Sequence, residues 1–386
     1  MSSDAALLSK AKESVLVASA NVPENTQRVA GVRLGSSSDA VSDCYAAQLC
    51  TGFQATQLGR ACDIVSEMLR NRDADDEERC IVYMGVAGNL FSTGVRDALR
   101  FAAINRQLDR IVVSAGGVEH DLRRLFRHHD YNASPLGVAI AAGRQRISNI
   151  SYIARECTAR GTSCCFPHVL EDAVTWIKAS RRHCRVIETD MVPRGGEPKF
   201  RKPVFDAEFS RVCVTPSGFY AAVAEYFDSV LPAEVADDSF AIRCARNQIP
   251  IYCPSFVDGD AAELLVDDET VAVDLTEDLN ALNRSALKAK RTGMIIIGGG
   301  VIKHHVCNAN LMRNGADYAV YLSTAQEFDG SDGGARPDEA VSWGKLKADA
   351  QSAKVCAEAT VAVPVIVGRA FVPAAIAVAA ATRVAP

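Results

Sequence analysis

The sequence predicts an α/β protein built on a doubly wound, mostly parallel β-sheet with helices on both faces. Short β-branched runs end abruptly in glycine at residues 80–85, 110–117 and 292–300, as buried parallel strands do where they open into tight loops. Amphipathic helical stretches alternate with these runs, which favours a sheet covered by helices. With 386 residues and 48% apolar content, the chain can bury the core that such a sheet requires.

The elements are predicted to follow one another within a single domain. Helical periodicity followed by the polar segment NVPENTQ predicts an N-terminal arm and linker over 1–35, and residues 36–386 form the domain. Helices are predicted at 95–108 and 173–183, while the surrounding segment 157–202 is predicted to be loop-like and basic at its end. Strands are predicted at 80–85 (CIVYMG), 110–117 (RIVVSAGG), 249–255 (IPIYCPS), 270–275 (TVAVDL), 292–300 (TGMIIIGGG), 317–323 (DYAVYLS) and 359–368 (ATVAVPVIVG).

The glycine-ended loops after residues 84, 113 and 297 are expected to converge on one crevice. In doubly wound sheets, ligands bind beside the carboxyl ends of the strands, where the order of winding switches. Glycines 298–300 would let the backbone approach a ligand closely, although triple glycines also occur at tight turns that bind nothing. The chain contains no G-x-G-x-x-G motif, so the glycines alone do not identify a nucleotide site.

Composition and charge exclude several classes of partner. The net charge is -5, the isoelectric point is about 5.9 and no block of Lys or Arg is present, so nucleic acid is not an expected partner. Thirteen cysteines are scattered without C-x-x-C pairs at zinc spacing, which predicts reduced thiols and no metal site.

Both ends of the chain were assessed as targeting or membrane segments. The first residues include Asp4 and lack the basic region and long apolar core of a secretory signal. The apolar tail 359–386 is interrupted by Arg369, Pro373 and Arg383, so no stretch is expected to span a bilayer. The sequence therefore predicts a soluble, cytoplasmic protein.

The acidic loop 328–347, FDGSDGGARPDEAVSWGKLK, predicts a pocket for an aliphatic polyamine. It holds four carboxylates and then a tryptophan, which together offer negative charge for the nitrogens and an apolar wall for the hydrocarbon between them. A solvated surface turn is the commoner explanation of such a composition, but it does not account for the tryptophan. The residues concerned are Asp329, Asp332, Asp338, Glu339 and Trp343.

Lys345 is the feature that favours the pocket over the surface turn. If the segment Trp343-Gly344-Lys345 is extended, the indole and the amine project to the same face, and the indole shields the amine from water. A desolvated lysine loses part of its preference for the charged form and becomes a nucleophile for imine formation. Nearby carboxylates oppose that change, and a bound cationic substrate would relieve the opposition.

His304 and His305 follow the glycine loop. Adjacent helical positions point about 100° apart, so the two imidazoles are not expected to reach one ion, and one functional and one structural histidine are favoured. Asn308 lies four residues after His304 and shares its helical face. A solvated first turn explains the same residues equally well.

Four stretches of the chain resemble the deoxyhypusine synthase family. They are TGFQAT (51–56), SAGGVE (114–119), PSFVDG (254–259) and the long block from Gly293 to Lys345. The resemblance implies an NAD-dependent, Rossmann-like fold and transfer of the 4-aminobutyl group of spermidine. The group passes through an imine on an enzyme lysine to one lysine of the precursor of the hypusine-bearing eukaryotic translation factor.

The resemblance also implies roles for individual residues. Lys345 corresponds to the lysine that forms the imine, and His304 to the proton shuttle, in keeping with a pKa near neutrality. Substrate-binding residues are expected to be Glu119, His120, Glu263, Asn308, Gly330, Ser331, Asp332, Glu339 and Trp343. Cofactor-binding residues are expected to be Gly88, Asn89, Leu90, Phe91, Ser92, Ser114, Ala115, Gly116, Asp258, Gly299, Thr324, Ala325, Asp329, Glu358 and Ala359.

Several positions depart from the family pattern. Ala87-Gly88-Asn89 stands where relatives usually have Thr-Ser-Asn, His120 replaces a second glutamate, and Glu263 and Glu358 replace aspartates. Family members are tetramers with active sites at dimer interfaces. The resemblance therefore implies either a homotetramer or a heterotetramer, in which a divergent paralogue supplies the part of the active site that is altered in this chain. Homospermidine synthase, which sends the same group to putrescine, and a non-catalytic regulatory subunit are the alternatives. An NAD-dependent deacylase is disfavoured because no paired cysteines supply its usual zinc site.

Overall fold

A computed structural model describes residues 48–73, 79–126, 130–131, 145–147, 150–152, 166–188, 210–266 and 268–384. The predicted N-terminal arm, 1–35, lies outside these residues. The strands are β1 Cys80–Val86, β2 Arg110–Val113, β3 Asp130–Tyr131, β4 Gln145–Ile147, β5 Ile150–Tyr152, β6 Cys184–Glu188, β7 Ser210–Val214, β8 Ile251–Tyr252, β9 Val271–Val273, β10 Arg291–Ile297, β11 Ala316–Leu322 and β12 Leu346–Val355.

The helices lie between these strands. They are α1 Phe53–Arg72, α2 Val95–Ile104, α3 Ala115–Arg123, α4 Phe166–Ser180, α5 Pro216–Val230, α6 Ala233–Ala236, α7 Phe240–Arg246, α8 Asp260–Leu265, α9 Leu275–Lys288, α10 Val301–Leu311, α11 Pro337–Ser342, α12 Ala359–Ile366 and α13 Val372–Val384. Short 3-10 turns occupy Gly88–Ser92, Phe256–Asp258 and Glu327–Asp329, and a π-helical turn, Val367–Phe371, joins α12 to α13.

A six-stranded sheet forms the centre of the protein, with every pair of neighbouring strands parallel. The order is β12-β11-β10-β1-β2-β8, so the winding reverses between β1 and β10. In that central pair Cys80 lies opposite Arg291 and Val86 opposite Ile297, which brings the two strand ends level. A doubly wound sheet places its ligand crevice at this reversal.

Helices cover both faces of the sheet, as the sequence predicts. Alternate residues of β1 divide between two cores: Val82 and Met84 face the larger one, and Tyr83 faces the smaller one. Helices α1, α2 and α5 contribute to the larger core, and α9 and α10 to the smaller one. Because both faces are buried, β1, β10 and β11 are mostly apolar, which is why they are recognisable in the sequence. The edge strand β12 is partly exposed and carries polar residues.

Two smaller sheets take up the remaining strands. β3, β5 and β4 form an antiparallel sheet, while β6 pairs antiparallel with β7 and β7 pairs parallel with β9. The predicted strand 270–275 therefore belongs to a side sheet rather than the central one, and the predicted strand 249–255 is reduced to Ile251–Tyr252. The loop prediction for 157–202 is wrong in part, because α4 begins at Phe166 and β6 follows it.

The prediction of a strand at 359–368 is wrong, because this segment is helical. Glu358 caps α12 by accepting a hydrogen bond from the Thr360 N–H at 3.0 Å. The buried side chains recur at helical spacing, at Ala362, Ile366 and Ala370. A continuous apolar run fits a buried strand and a buried helix equally well by pattern, so only its packing decides between them.

The same helix continues through the residues that were expected to interrupt the tail. The π-helical turn lets the Val372 N–H bond to Val367 O immediately before Pro373, which has no N–H to donate. By length and composition alone, the helix from Ala359 to Ala381 would suffice to cross a membrane, with 33% of the apolar window buried inside the protein. The expectation that no stretch is long enough is therefore wrong on length.

Candidate active site

Glycines bring the loops at the carboxyl ends of the strands into backbone contact. A Cβ on Gly298 would lie 2.8 Å from that of Ala87, and a Cβ on Gly88 would lie 3.1 Å from Gly117 N. A Cβ on Gly299 would lie 2.5 Å from the Cα of Gly333. The separations at Gly298 and Gly299 are too short for a side chain, and the one between Gly88 and Gly117 is tight, so the loops after β1, β2 and β10 converge as predicted.

The predicted nucleotide residues surround this convergence. Gly88, Asn89, Leu90, Phe91 and Ser92 form the 3-10 turn after β1, and Ser114 precedes α3, which begins with Ala115 and Gly116. Thr324 and Ala325 follow β11, Asp329 ends the 3-10 turn beyond them, and Glu358 and Ala359 start α12 after β12. All of them therefore lie at the carboxyl ends of central strands.

Polar groups at these loops suit an NAD molecule. α10 begins directly after the glycine loop at the carboxyl end of β10 and has no side-chain cap, so the N–H groups of its first turn can bind phosphate or ribose oxygens. Ser92 Oγ is buried and makes no hydrogen bond within the described part of the chain, so it is available to a ligand. Asp258 Oδ1 accepts a hydrogen bond from the Ala115 N–H at 3.1 Å and so fixes the start of α3.

Phe91 and Glu119 have structural roles in this chain. Phe91 is fully buried and packs against Phe240 with ring centroids 5.0 Å apart, so it faces the core rather than a ligand. Glu119 accepts hydrogen bonds from Asp260 N at 2.7 Å, Ala261 N at 3.0 Å and Tyr220 Oη at 2.9 Å. Its carboxylate therefore caps α8 instead of lying open to a substrate, and burial raises its pKa.

His120 and Glu263 flank that cap. Burial, followed by the positive charge of Arg123, lowers the pKa of His120 to about 4, so its imidazole is neutral at pH 7. Glu263 is exposed on α8. The neutral ring of His120 and the engaged Glu119 therefore stand where the family pattern has two glutamates.

The lysine side of the site is assembled by a helix end rather than an extended strand. α11 ends at Ser342, and Gly344 adopts φ 71°, so that Gly344 N bonds to Val341 O and Lys345 N to Ala340 O. The expectation of an extended Trp343-Gly344-Lys345 segment is therefore wrong. The left-handed glycine nevertheless returns the chain so that Lys345 Nζ lies 5.7 Å from the centre of the Trp343 ring.

The tryptophan does not shield the amine within one chain. Trp343 is 64% exposed, and Glu339 and Asp338 on α11 are exposed as well. Asp332 differs, because its Oδ2 is buried and receives no hydrogen bond from any residue that the structure describes. Gly330, at φ 65°, and Ser331 are the exposed residues leading to it.

Asp332, Glu339 and Lys345 gather around a buried pair formed by Cys307 and Tyr321. The Cys307 Sγ lies 3.6 Å from the Tyr321 hydroxyl. Burial raises the pKa of the Cys307 thiol, with smaller effects from the charges on Asp332 and Lys345. Burial likewise raises the pKa of Tyr321, to which the charges on Asp332 and Glu339 add. The acidic loop and the lysine therefore belong to one site.

His304 and Asn308 share a face of α10, as predicted. The Asn308 Nδ2 lies 2.9 Å from His304 Nε2, and the amide holds the imidazole in place. His304 is exposed, while burial and then the charge of His304 lower the pKa of His305. One histidine of the pair is thus open to a substrate and the other is packed, which is the division that the sequence favours.

Two lysines were not predicted from the sequence. Lys303, on α10, and Lys354, on β12, donate hydrogen bonds to backbone carbonyls of the loop that carries Asp332. No motif identifies them, because any sequence can supply their carbonyl partners. Among the described residues no group of three or more metal-ligating side chains occurs.

The comparisons with known proteins agree with this arrangement. The family model described as deoxyhypusine synthase matches residues 45–159 and 197–370. The deoxyhypusine synthase of Kluyveromyces lactis is 35% identical, with 93% of this chain and 96% of the relative covered, and that of Caenorhabditis elegans is 34% identical, with 94% of each covered. A crystal structure assigned as a deoxyhypusine synthase from Entamoeba histolytica is 25% identical, covers 86% of this chain and 93% of its own, and has a TM-score of 0.55.

Proposed function

The chain belongs to the deoxyhypusine synthase family, and we propose that it transfers the 4-aminobutyl group of spermidine to a lysine of the precursor of the hypusine-bearing translation factor. It is thus a transferase, with the cytoplasm as its proposed location. The observation that carries the proposal is the position of Lys345. Its amine lies beside the Trp343 ring, and its charge and that of Asp332 both act on the buried Cys307 thiol.

The polyamine site follows from the charges. Asp332 Oδ2 is buried and has no hydrogen-bond partner among the described residues, so it is a partner for an ammonium group of spermidine, and Glu339 adds a second negative charge. The exposed indole of Trp343 offers an apolar surface to the methylene chain and a π-face to the nitrogens. Binding neutralises carboxylates near Lys345 and so favours the uncharged form of its amine.

Lys345 and His304 have different roles in the reaction. The uncharged Lys345 amine attacks the oxidised carbon of the substrate, and the bond from that carbon to the diamine nitrogen breaks, which leaves the 4-aminobutyl group on Lys345 as an imine. The diamine leaves with the proton that Lys345 gives up. His304, oriented by Asn308, is placed to move that proton.

NAD fits the remaining crevice and would be held by the loops at Gly88–Ser92, Ser114–Gly116 and Gly298–Gly300 together with Asp258. When bound, it supplies the acceptor and later the donor of hydride. The glycines of these loops let the loops approach one another closely around the crevice.

A second protein chain is proposed to complete the site. Trp343 and the carboxylates of α11 are open to solvent in one chain, and Glu119 is engaged as a helix cap. An imine on Lys345 requires that water be excluded. A homotetramer, or a heterotetramer with a divergent paralogue that supplies acidic residues in place of His120, meets this requirement.

The test is to trap the imine. The pure chain is incubated with NAD and spermidine labelled in its aminobutyl part, and borohydride then reduces any imine to a stable amine. We expect label on Lys345, none in Lys345→Arg, and unchanged labelling in the matched control Lys347→Arg, whose amine pairs with Asp317 near the start of β12. Label that persists in Lys345→Arg would refute the assignment.

The acceptor and the subunit composition need a second measurement. Transfer of the 4-aminobutyl group from Lys345 is measured with the translation factor precursor as acceptor and, separately, with putrescine. We expect transfer to the precursor. A preference for putrescine would identify a homospermidine synthase instead. A full family rate from the pure chain would exclude the need for a paralogue.

A further inference from the structure

We propose that Lys303 is a positioning residue for the polyamine site, which it serves by fastening the loop of Asp332 to the helix of His304. The inference rests on the proposed function, because it concerns how that site binds its cationic substrate. Lys303 is the residue before His304 on α10, and the loop, Asp332–Ala335, lies between the last 3-10 turn and α11.

The contacts of Lys303 connect these two parts directly. Its side chain is only 4% exposed, and its Nζ donates hydrogen bonds to Asp332 O at 2.5 Å and to Ala335 O at 3.1 Å. The centre of the Tyr321 ring lies 4.6 Å from the same nitrogen. The ammonium group therefore bridges both ends of the loop while it rests on an aromatic face.

This arrangement makes the helix and the loop move as one unit. A buried ammonium group without partners is costly, and burial lowers the pKa of Lys303. Its hydrogen-bond partners are carbonyl groups of the loop, and the nearby Asp332 carboxylate offsets its charge. If the loop moved away from α10, the Lys303 ammonium group would lose all of these partners at once. The loop is therefore held in a fixed position beside His304.

The loop is also held from its other sides. Lys354 Nζ, on β12, donates to Gly334 O, and Gly333 packs on Gly299 of the glycine loop. Three carbonyls of the loop are thus occupied by lysines, whereas Asp332 Oδ2 is buried and receives no hydrogen bond from the described residues. The backbone is anchored and the carboxylate is left for a ligand, which is the arrangement of a preorganised binding group.

Lys303 is distinct from Lys345 in what it can do. Its hydrogen atoms are directed at two carbonyls and a ring, so its lone pair is not available for imine formation. We therefore assign it to substrate affinity through Asp332 and not to the covalent step.

The first measurement is steady-state kinetics of Lys303→Met, which keeps the length of the side chain and removes its charge. We expect the KM for spermidine to rise about tenfold, the scale of a lost hydrogen bond to a charged group, while kcat falls by less than about threefold. Imine trapped at saturating spermidine should recover to the wild-type amount. The control Lys347→Met, which removes the ion pair with Asp317 at the opposite end of the sheet, should leave KM unchanged.

The second measurement is a double-mutant cycle with Asp332→Asn. If Lys303 acts by placing the Asp332 carboxylate, Lys303→Met in the Asp332→Asn background should change the KM by less than about twofold. If the effects of Lys303→Met and Asp332→Asn on KM multiply in the double variant, the inference is wrong. A fall in kcat of Lys303→Met with KM unchanged would also contradict it.

Different experimental results would refute the inference about Lys303 and the proposed function. If the wild-type chain forms no imine with spermidine, the proposed function fails. If it forms the imine and the cycle is multiplicative, only the role of Lys303 fails. Should Lys303→Met not fold, the same cycle is run with Lys354→Met, which removes the other ammonium contact of the loop, and a multiplicative result there overturns the inference equally.

Discussion

The two lysines of the site differ in what their ammonium groups contact. Lys303 is buried against backbone carbonyls and the ring of Tyr321, and Lys345 lies beside the exposed ring of Trp343. A group that is already fully hydrogen-bonded holds structure in place, and one that lacks such partners can react. The difference depends on neighbours that are distant along the chain, except for Trp343, which is two residues from Lys345.

His120 is a residue whose burial has a consequence for pH. Its ordinary pKa is 6.5, and burial, with Arg123 next in size, lowers it to about 4 in the folded protein. The unfolded chain therefore binds a proton more readily, so stability decreases as pH falls below 6.5 toward 4. The contribution of the uncharged His120 to the stability of the folded protein is fully present above pH 6.5.

We expect His120→Asn to flatten this dependence. Between pH 7 and pH 5 the wild-type free energy of unfolding should fall by about 2 kcal/mol more than that of the variant, from a shift of this size. Urea denaturation at the two pH values measures the difference. An equal fall in both proteins would show that His120 is not the titrating group.

At the scale of secondary-structure elements, the turn between β10 and α10 is tightly constrained. A Cβ on Gly299 would lie 2.5 Å from Gly333 Cα and 2.8 Å from Gly333 N, and these are backbone atoms that cannot move independently. The start of α10, which carries His304, and the loop of Asp332 are therefore in direct contact.

Gly299→Ala should separate these two segments. We expect kcat/KM for spermidine to fall at least about a hundredfold and the Kd for NAD to rise at least about tenfold, because the binding groups lose their spacing. Calorimetry and steady-state kinetics measure the two effects. Gly94→Ala is the control, since nothing lies within 4 Å of the added Cβ and its φ of -68° suits alanine; an equal loss in both variants would contradict the argument.

The helix α12 shows that an apolar run in the sequence does not by itself distinguish a strand from a helix. Residues 359–368 read as a strand because they are continuously apolar, yet Glu358 caps them as a helix against the larger core. The strands β1, β10 and β11 have similar apolar runs and were predicted correctly, because a glycine or polar turn ends each of them. Length and end signals were informative there, while in the 359–368 run Gly368 suggested a strand end that the fold does not use.

For the whole molecule, the acidic site lies beside large exposed apolar side chains. Phe328 is 87% exposed and adjoins the acidic loop, and Trp343 is 64% exposed within it. Aromatic side chains exposed at a binding site are typical of surfaces that another chain covers. The proposed second chain would bury them and exclude water from Lys345.

We expect Phe328→Asp to weaken association and activity together. Light scattering should show a smaller mass than the wild type, and activity per chain should recover as protein concentration is raised. The control Leu287→Asp alters an exposed leucine at the end of α9, next to the amino end of β10. Loss of activity in Phe328→Asp with an unchanged mass would place the residue outside the interface.

The sequence alone predicted a mostly parallel sheet, its strands β1, β2, β10 and β11 and the loops that carry the site, whereas the edge strand β12 was not predicted. Buried parallel strands need apolar residues on both faces and glycines where their loops meet, and these requirements are local enough to be visible in the chain. The resemblance of the block from Gly293 to Lys345 to the family implied the roles of the lysine, the histidine and the acidic loop.

The tertiary structure decided the roles that depend on contacts between distant segments. It engaged Glu119 with Tyr220 and the start of α8, buried Phe91 in the core, and joined Lys303 to the loop of Asp332. In each case the partner is either a side chain more than a hundred residues away or a backbone group. Such partners leave no pattern in the sequence, since their distance is set only when the chain has folded.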